Sequence, residues 1–179
     1  MKVLYAIQGT GNGHLSRARE LIPHILPHCE LDLLVSGTHA EVNPAYALRY
    51  KFHGMGFLFG KNGGVDIRAS IRAARPVQFI RDIRSLQLKE YDLILNDFEP
   101  VSAYAAKLAG IKIRAFSHQA AFLSDLSPRP KDRKSAFAEW MFRHYAPSHT
   151  ALGFHFKSYD NFIRTPIIRS EVRALEVKH

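Results

Sequence analysis

The sequence contains a single cysteine, Cys29, so no disulfide can form within the chain. One lone thiol is typical of proteins of the reducing cytoplasm. No apolar run approaches the roughly 18 residues that mark a membrane-spanning helix, which predicts that no segment crosses a bilayer. The chain opens directly on a β-prone run and shows no signal-peptide pattern. We therefore expect a cytoplasmic protein of 179 residues with one hydrophobic core.

Acidic residues are also scarce, because 16 Asp and Glu face 25 Lys and Arg and leave a net charge of +9. Such an excess of positive charge indicates an anionic partner, for example a nucleotide or a phospholipid surface. Nucleic acid is not expected, since the chain shows neither an aromatic and basic RNA-binding motif nor a helix-turn-helix pattern. Ten histidines are present, but no pair has the spacing of metal ligands. We expect neither a metal nor a resident cofactor.

Short apolar runs alternate with segments of helical periodicity, which predicts an α/β fold with a doubly wound, mostly parallel, Rossmann-like sheet. Residues 1–164 are expected to form this domain, and residues 165–179 an interdomain linker or the start of a further domain. The predicted strands are 3–7, 30–37, 50–53, 91–97, 111–116 and 151–156. One predicted helix begins after residue 13. The others cover 40–47, 66–86 with a break near Pro76, 101–108 and 135–145.

Three predictions concern segments away from the strand ends. Residues 54–64 contain five glycines and are expected to form a long loop or a small hairpin. The segment 66–86 has an apolar side and an arginine side, which is typical either of contact with an anionic membrane surface or of a solvated helix face. In the helix 135–145, the spacing of Phe137, Trp140 and Met141 predicts that these side chains face the core, and residues 162–169 are expected to extend away from the domain.

The first predicted strand runs into a glycine-rich turn that reads GxGxGHxxxR, with His14 where the next helix begins. Glycines let the backbone approach a ligand closely, and a helix N-terminus attracts an anion. The pattern is neither the dinucleotide fingerprint nor a P-loop. It is typical of a phosphate or sugar-acid site, with a tight turn and a capping histidine as the alternative. The candidate binding residues in this turn are Gly9, Gly11, Asn12, Gly13 and Arg17.

Two further sets of polar residues follow predicted parallel strands. Asn96 and Asp97 end one strand and Glu99 lies just after it, and Ser117, His118 and Gln119 follow the next strand. Because ligands of open α/β sheets bind outside the carboxyl ends of the strands, we expect both sets to lie beside the glycine turn. The alternatives stay open for Glu99, which either binds sugar hydroxyls or is exposed. They also stay open for His118 and Gln119, which contact a substrate or cap the next helix.

These motifs together resemble a known family. The Gly11-Asn12-Gly13-His14 turn with Arg17 resembles the N-terminal loop of glycosyltransferases with two Rossmann-like domains, the GT-B architecture. That superfamily includes the UDP-glycosyltransferases and the lipid-linked N-acetylglucosaminyltransferases of cell-wall synthesis. The stretches 96–100 and 117–122 are similar to those of a prokaryotic branch of it. The resemblance extends over Lys2 to Arg169 and makes the chain similar to an N-terminal, acceptor-side half.

The resemblance implies a mechanism. In inverting members, the histidine after the glycine loop is the general base that deprotonates an acceptor hydroxyl, which then attacks the anomeric carbon of a nucleotide sugar. An aspartate after a later strand orients this histidine. By motif, His14 is the base and Asp97 is its partner. Histidine suits this task because imidazole titrates near neutral pH. The alternative is that His14 caps the helix and lines a phosphate site.

The resemblance also implies what the chain lacks. In this superfamily the second domain holds most of the nucleotide sugar, and Thr165 to Arg169 resembles the linker that leads to it. No second Rossmann pattern follows in these 179 residues. The nucleotide sugar is expected as a co-substrate bound by that second domain, and a small-molecule or lipid-linked compound as the acceptor. We expect that this chain alone transfers no sugar, and that the protein is cytoplasmic or peripheral at the inner face of the membrane.

Two other functions stay open on the sequence alone. A sugar-nucleotide epimerase or hydrolase of the same architecture also divides its catalytic residues between two halves. A non-catalytic module that binds a nucleotide or another anion would account for the basic charge. Acceptor-dependent release of a nucleoside diphosphate distinguishes a transferase from both.

Overall fold

The structure is a computed structural model that describes residues 1–37, 45–56, 58–59, 65–66, 70, 74–130 and 135–175, with 58–59 and 65–66 as backbone only. The strands are β1 (Lys2–Gln8), β2 (Glu30–Ser36), β3 (Tyr50–Phe52), β4 (Leu58–Phe59), β5 (Val65–Asp66), β6 (Leu93–Asp97), β7 (Arg114–Ser117), β8 (Thr150–Phe154) and β9 (Ile163–Arg164). The α-helices are α1 (Asn12–Ile25), α2 (Pro76–Ser85), α3 (Pro100–Ala109), α4 (Ala136–His144) and α5 (Ser170–Arg173). Short 3₁₀ helices cover Leu26–His28 and Gln119–Leu123.

Seven strands form one parallel sheet in the order β3-β2-β1-β6-β7-β8-β9. The chain moves outward from β1 to β3, then returns to the other side of β1 and continues to β9. This order confirms the predicted doubly wound, Rossmann-like sheet. Its topological switch point lies between β1 and β6, and ligands of open α/β sheets bind at the carboxyl edge beside such a point.

The side chains of β1 alternate between two cores, one on each face of the sheet. Leu4 and Ala6 belong to the cluster that contains Ile83 of α2 and Val101 of α3. Tyr5 and its neighbours face the other side, against α1; that cluster also contains Ile7, Leu15, Ala18 and Ile22. Because both faces are covered, β1 is an almost continuous apolar run rather than an alternating one. The run that the sequence presents is therefore the central strand of the sheet.

The helix α4 differs from its prediction. Phe137 and Trp140 were expected in the core, but they are 37% and 53% exposed and stack on each other at the surface. No residue of α4 is fully buried. The residues that follow the helix, Tyr145 and Ala146, are buried instead. The helical spacing of the aromatic residues was correct, but the face they form is directed away from the core.

The other differences fall on short elements. Asp66 was predicted to start a helix, but it pairs with Leu58 in the antiparallel β4–β5 hairpin, and α2 begins only at Pro76. The hairpin was one of the two forms expected for 54–64. Residues 163–164 were expected to leave the domain, yet they form the edge strand β9 beside β8. Most of the helix predicted at 40–47 and part of the segment 66–73 lie outside the described residues, and 45–47 is not helical.

Candidate active site

The glycine turn is held against β2 at one end and is open at the other. The amide of Gly9 donates to the carbonyl oxygen of Ser36 at 2.6 Å. A β-carbon on Gly9 would lie 2.8 Å from Val35 Cγ1, so only glycine fits there. Nothing lies within 4 Å of the places that β-carbons on Gly11 and Gly13 would take. The first glycine therefore serves packing, and the other two border open space at the carboxyl edge of the sheet.

The helix α1 begins at Asn12, with Gly11 as its N-cap, so His14 lies in the first turn as predicted. No side chain caps this end, and the first turn contains no acidic residue. The backbone N–H groups of a first turn have no partner inside the helix, and the helix dipole adds positive potential there. The turn is thus suited to hold the negatively charged part of a ligand next to His14.

The structure brings His14, Arg17 and Asp97 together across the switch point. Nδ1 of His14 lies 2.8 Å from Oδ1 of Asp97. The guanidinium group of Arg17 donates through Nη2 to Oδ1 at 2.6 Å and through Nε to Oδ2 at 3.1 Å. Asp97 is completely buried, whereas the His14 side chain is 13% exposed. The carboxylate is therefore an internal anchor, whereas the side chains of His14 and Arg17 are both partly exposed.

The partners of Asp97 determine which nitrogen of His14 carries the proton. Burial alone would raise the pKa of Asp97, but the charges and hydrogen bonds of His14 and Arg17 outweigh it and hold this pKa below its usual value. An ionised carboxylate can only accept, so Nδ1 of His14 must donate to it. Nε2 is then the nitrogen with the free lone pair. This is the tautomer in which imidazole acts as a base at Nε2.

Arg17 interacts with the carboxylate more than with open space. Its side chain is 14% exposed, and its ion pair with Asp97 raises its pKa although burial opposes the charge. Arg17 Nη2 also lies 3.2 Å from Nδ1 of His14, a contact between two donors rather than a hydrogen bond. The structure gives Arg17 an internal partner, the carboxylate of Asp97. A contact between Arg17 and a phosphate stays a prediction.

Tyr5 is a member of this cluster that the sequence did not reveal. Its hydroxyl lies 3.4 Å from Oδ2 of Asp97, and burial together with the negative charge of Asp97 raises the pKa of Tyr5 well above its usual value. Tyr5 lies in the apolar run of β1, which by itself predicts only a buried strand. The available signal was that a buried tyrosine hydroxyl needs a polar partner.

Gln119 also reaches the cluster. It is the first residue of the 3₁₀ helix after β7, and its amide nitrogen lies 3.3 Å from Nε2 of His14. The sequence grouped Gln119 with Ser117 and His118, but the structure separates the three. Ser117 Oγ accepts from the backbone N–H of Ala120 at 3.0 Å. His118 Nδ1 lies 2.6 Å from the carbonyl oxygen of Phe154, to which it donates. Binding of substrate by Ser117 and His118 stays a prediction.

Glu99 caps a helix and lies within the protein. It is the N-cap of α3, and its carboxylate accepts from the backbone N–H groups of Val101 and Ser102, both at 2.7 Å, and from the Ser36 hydroxyl. The side chain is fully buried. Burial raises the pKa of Glu99, although these hydrogen bonds oppose the rise. Exposure, one of the two alternatives for Glu99, is wrong, because the side chain is buried. Contact with a sugar stays a prediction.

Two searches of the described residues bear on other kinds of site. Among them, no group of three or more His, Cys, Asp or Glu side chains is arranged to hold a metal ion. Within the same part of the chain, no helix has both the length and the apolar character needed to cross a membrane.

The fold and the site define a class of protein: a Rossmann-like domain whose switch point holds a glycine turn and a histidine paired with a buried carboxylate. A family model described as "Glycosyl transferase family 1" matches residues 1–179. The chain therefore belongs to glycosyl transferase family 1, and the family resemblance drawn from its motifs is confirmed.

The comparison with solved structures gave a more distant likeness. The chain is similar to the crystal structure of MurG from Acinetobacter baumannii, with 18% sequence identity and a TM-score of 0.41. The match covers 66% of this chain and 35% of the MurG chain. No curated protein sequence matches the chain.

Proposed function

We propose that this chain forms the acceptor-side half of a glycosyltransferase active site, with His14 as the general base and Asp97 as the residue that orients it. The observation that carries the proposal is the 2.8 Å contact between His14 Nδ1 and Asp97 Oδ1 at the switch point of the sheet. Membership of glycosyl transferase family 1 supports the reaction class.

The proposed reaction is a single displacement with His14 as the base. His14 Nε2 takes the proton of the acceptor hydroxyl, whose oxygen forms a bond to the anomeric carbon of the donor sugar. The bond from that carbon to the diphosphate breaks, and the nucleoside diphosphate leaves. The imidazolium that forms is stabilised by Asp97, whose own charge is secured by Arg17. A single displacement of this kind inverts the anomeric centre.

The open end of the glycine turn supports contact with the donor. The N-terminus of α1 has no capping side chain, and a phosphate placed there would lie beside His14. The sugar and the nucleoside are assigned to a second domain outside these 179 residues, as in GT-B enzymes. On this proposal the chain alone binds the acceptor and transfers no sugar.

The surface of α2 supports contact with a membrane, where a lipid-linked acceptor would be located. Val77 and Ile80 are 62% and 48% exposed, and the exposed Arg81 and Arg84 lie on the same helix. An apolar strip beside arginines suits an anionic lipid surface. Peripheral contact with the cytoplasmic face of the membrane is accordingly part of the proposal.

The test uses the full-length protein and a panel of nucleotide sugars, with release of nucleoside diphosphate measured with and without a lipid extract as the acceptor source. We expect acceptor-dependent release in the wild type and a loss of about 10²- to 10⁴-fold in His14→Ala, the usual range for a general base. His24→Ala is the matched control, because His24 is an exposed histidine of the same helix.

The outcomes separate the parts of the proposal. Release that is equal in His14→Ala and wild type would remove His14 as the base and leave the transferase class in place. Sugar epimerised or hydrolysed without any acceptor would favour the epimerase or hydrolase reading. Transfer by the purified 179-residue chain would contradict the need for a second domain.

A further inference from the structure

The nitrogen that must act as the base is covered in the structure by Gln119. With Nδ1 of His14 donating to Asp97, Nε2 carries the lone pair, and the Gln119 amide nitrogen lies 3.3 Å from it. An amide N–H can only donate, so this contact occupies the lone pair that would take the acceptor proton. In this arrangement the base is thus hydrogen-bonded within the protein.

The other end of the same amide has no partner. Among the described residues, Oε1 of Gln119 is buried and makes no hydrogen bond. A buried carbonyl oxygen without a donor is unfavourable, so the amide is not satisfied in this position. The side chain therefore has a reason to change its position when a ligand brings new hydrogen-bonding groups to the site.

The distance leaves no room for a hydroxyl group between the two nitrogens. An oxygen that donates to one nitrogen and accepts from the other, with hydrogen bonds of about 2.8 Å at a tetrahedral angle, needs the nitrogens roughly 4.5 Å apart. The observed separation is 3.3 Å. The amide must therefore withdraw from His14 by about 1 Å before any nucleophile can reach Nε2.

We propose that Gln119 is a positioning residue that gates His14: it covers Nε2 before the acceptor binds and moves to donate to the acceptor oxygen when the acceptor binds. This inference rests on the proposed function. The energy to displace the amide comes from the rest of the acceptor, which a water molecule lacks. The gate thus disfavours hydrolysis, in which a water oxygen would bond to the anomeric carbon, its proton would pass to Nε2 and the diphosphate would leave.

The first test requires no turnover. Diethyl pyrocarbonate acylates unprotonated imidazole nitrogens, and peptide mass spectrometry reports the rate at each histidine. In Gln119→Ala we expect His14 to react about fivefold faster than in the wild type. Fivefold is about the change in an equilibrium constant that the net free energy of one hydrogen bond produces. Gln119→Leu keeps the bulk of the side chain without the amide and should also react faster. His24, which is exposed on α1, serves as the internal reference.

Each outcome decides a part of the inference. An unchanged rate at His14 in Gln119→Ala would overturn it. A faster rate in Gln119→Ala but not in Gln119→Leu would mean that bulk, and not a hydrogen bond, covers Nε2, and it would overturn the hydrogen-bonded gate.

The second test measures the gate in the full-length protein. In Gln119→Ala, the ratio of donor hydrolysis to transfer should rise about fivefold. An unchanged ratio in an enzyme that transfers sugar would overturn the gate while leaving the proposed function intact. A wild type that turns over no donor would instead count against the proposed function, and the modification rates would still decide whether Gln119 covers Nε2.

Discussion

Asp97 and Glu99 lie two residues apart, are both completely buried, and belong to opposite sides of the molecule. Asp97 contacts His14 and Arg17 of α1, whereas Glu99 caps α3 on the other face of the sheet. Between them, Phe98 has a left-handed φ of 58°, an unusual backbone for a bulky residue, which turns the chain from one face to the other. The pair shows that burial alone does not distinguish a carboxylate at the candidate active site from one that caps a helix.

The groups that surround each carboxylate distinguish Asp97 from Glu99. Two cationic or ionisable groups surround Asp97 and hold its pKa down, while amides and hydroxyls surround Glu99, whose pKa burial raises. Asp97 is also connected through His14 to open space, and Glu99 is connected to the backbone of α3 and to the Ser36 hydroxyl. An acid is a candidate for catalysis when its contacts lead to a reachable group, as those of Asp97 do.

The largest expected effect concerns turnover. In the full-length protein, Asp97→Asn should lower the rate by about 10²- to 10⁴-fold, because an amide neither fixes the His14 tautomer nor stabilises the imidazolium. Glu99→Gln, a matched carboxyl-to-amide change two residues away, should leave the rate within about threefold, as a cap contributes to stability rather than chemistry. Equal losses in the two variants would break the comparison.

An intermediate effect is expected in the glycine turn, where Gly9 packs against its neighbours and Gly13 borders open space. Gly9→Ala should lower the free energy of unfolding by about 1–3 kcal/mol, since the new methyl group would press on Val35 and the Ser36 carbonyl. Gly13→Ala meets nothing within 4 Å and should change stability by less than about 0.5 kcal/mol. Urea unfolding measures both. A large loss in Gly13→Ala would contradict the open end of the turn.

The smallest effect is a difference in pH dependence. The depressed pKa of Asp97 means that its contribution to stability is complete above the unfolded value of about 3.9 and is lost as the pH falls through the folded value. Glu99 has a raised pKa, so its contribution is complete below about 4.3 and is lost as the pH rises through the folded value.

Unfolding free energies of the wild type, Asp97→Asn and Glu99→Gln between pH 3 and 8 measure these opposite slopes. Relative to the wild type, Glu99→Gln should gain stability as the pH rises, and the deficit of Asp97→Asn should shrink below about pH 4. Parallel curves for all three proteins would show that neither carboxyl group changes its pKa on folding.

The sequence alone determined the sheet and the edge at which the site lies. Buried parallel strands are continuous apolar runs, and β1, β2 and β6 were recognisable for that reason. The glycine turn and the polar residues after β6 and β7 follow from local chemistry, and the carboxyl ends of parallel strands meet at one edge. His14 and Asp97 were paired through the family resemblance.

Only the tertiary structure decided what each polar residue does there. Three examples depend on the contacts that the folded chain makes. They are whether Glu99 contacts a ligand or caps a helix, whether Arg17 contacts a phosphate or Asp97, and whether Tyr5 only fills the core or also contacts Asp97. The outward face of Trp140 has the same origin, because helical periodicity specifies a face but not its direction. Local sequence determines which backbone conformation a segment prefers, whereas tertiary packing determines which side chains contact each other.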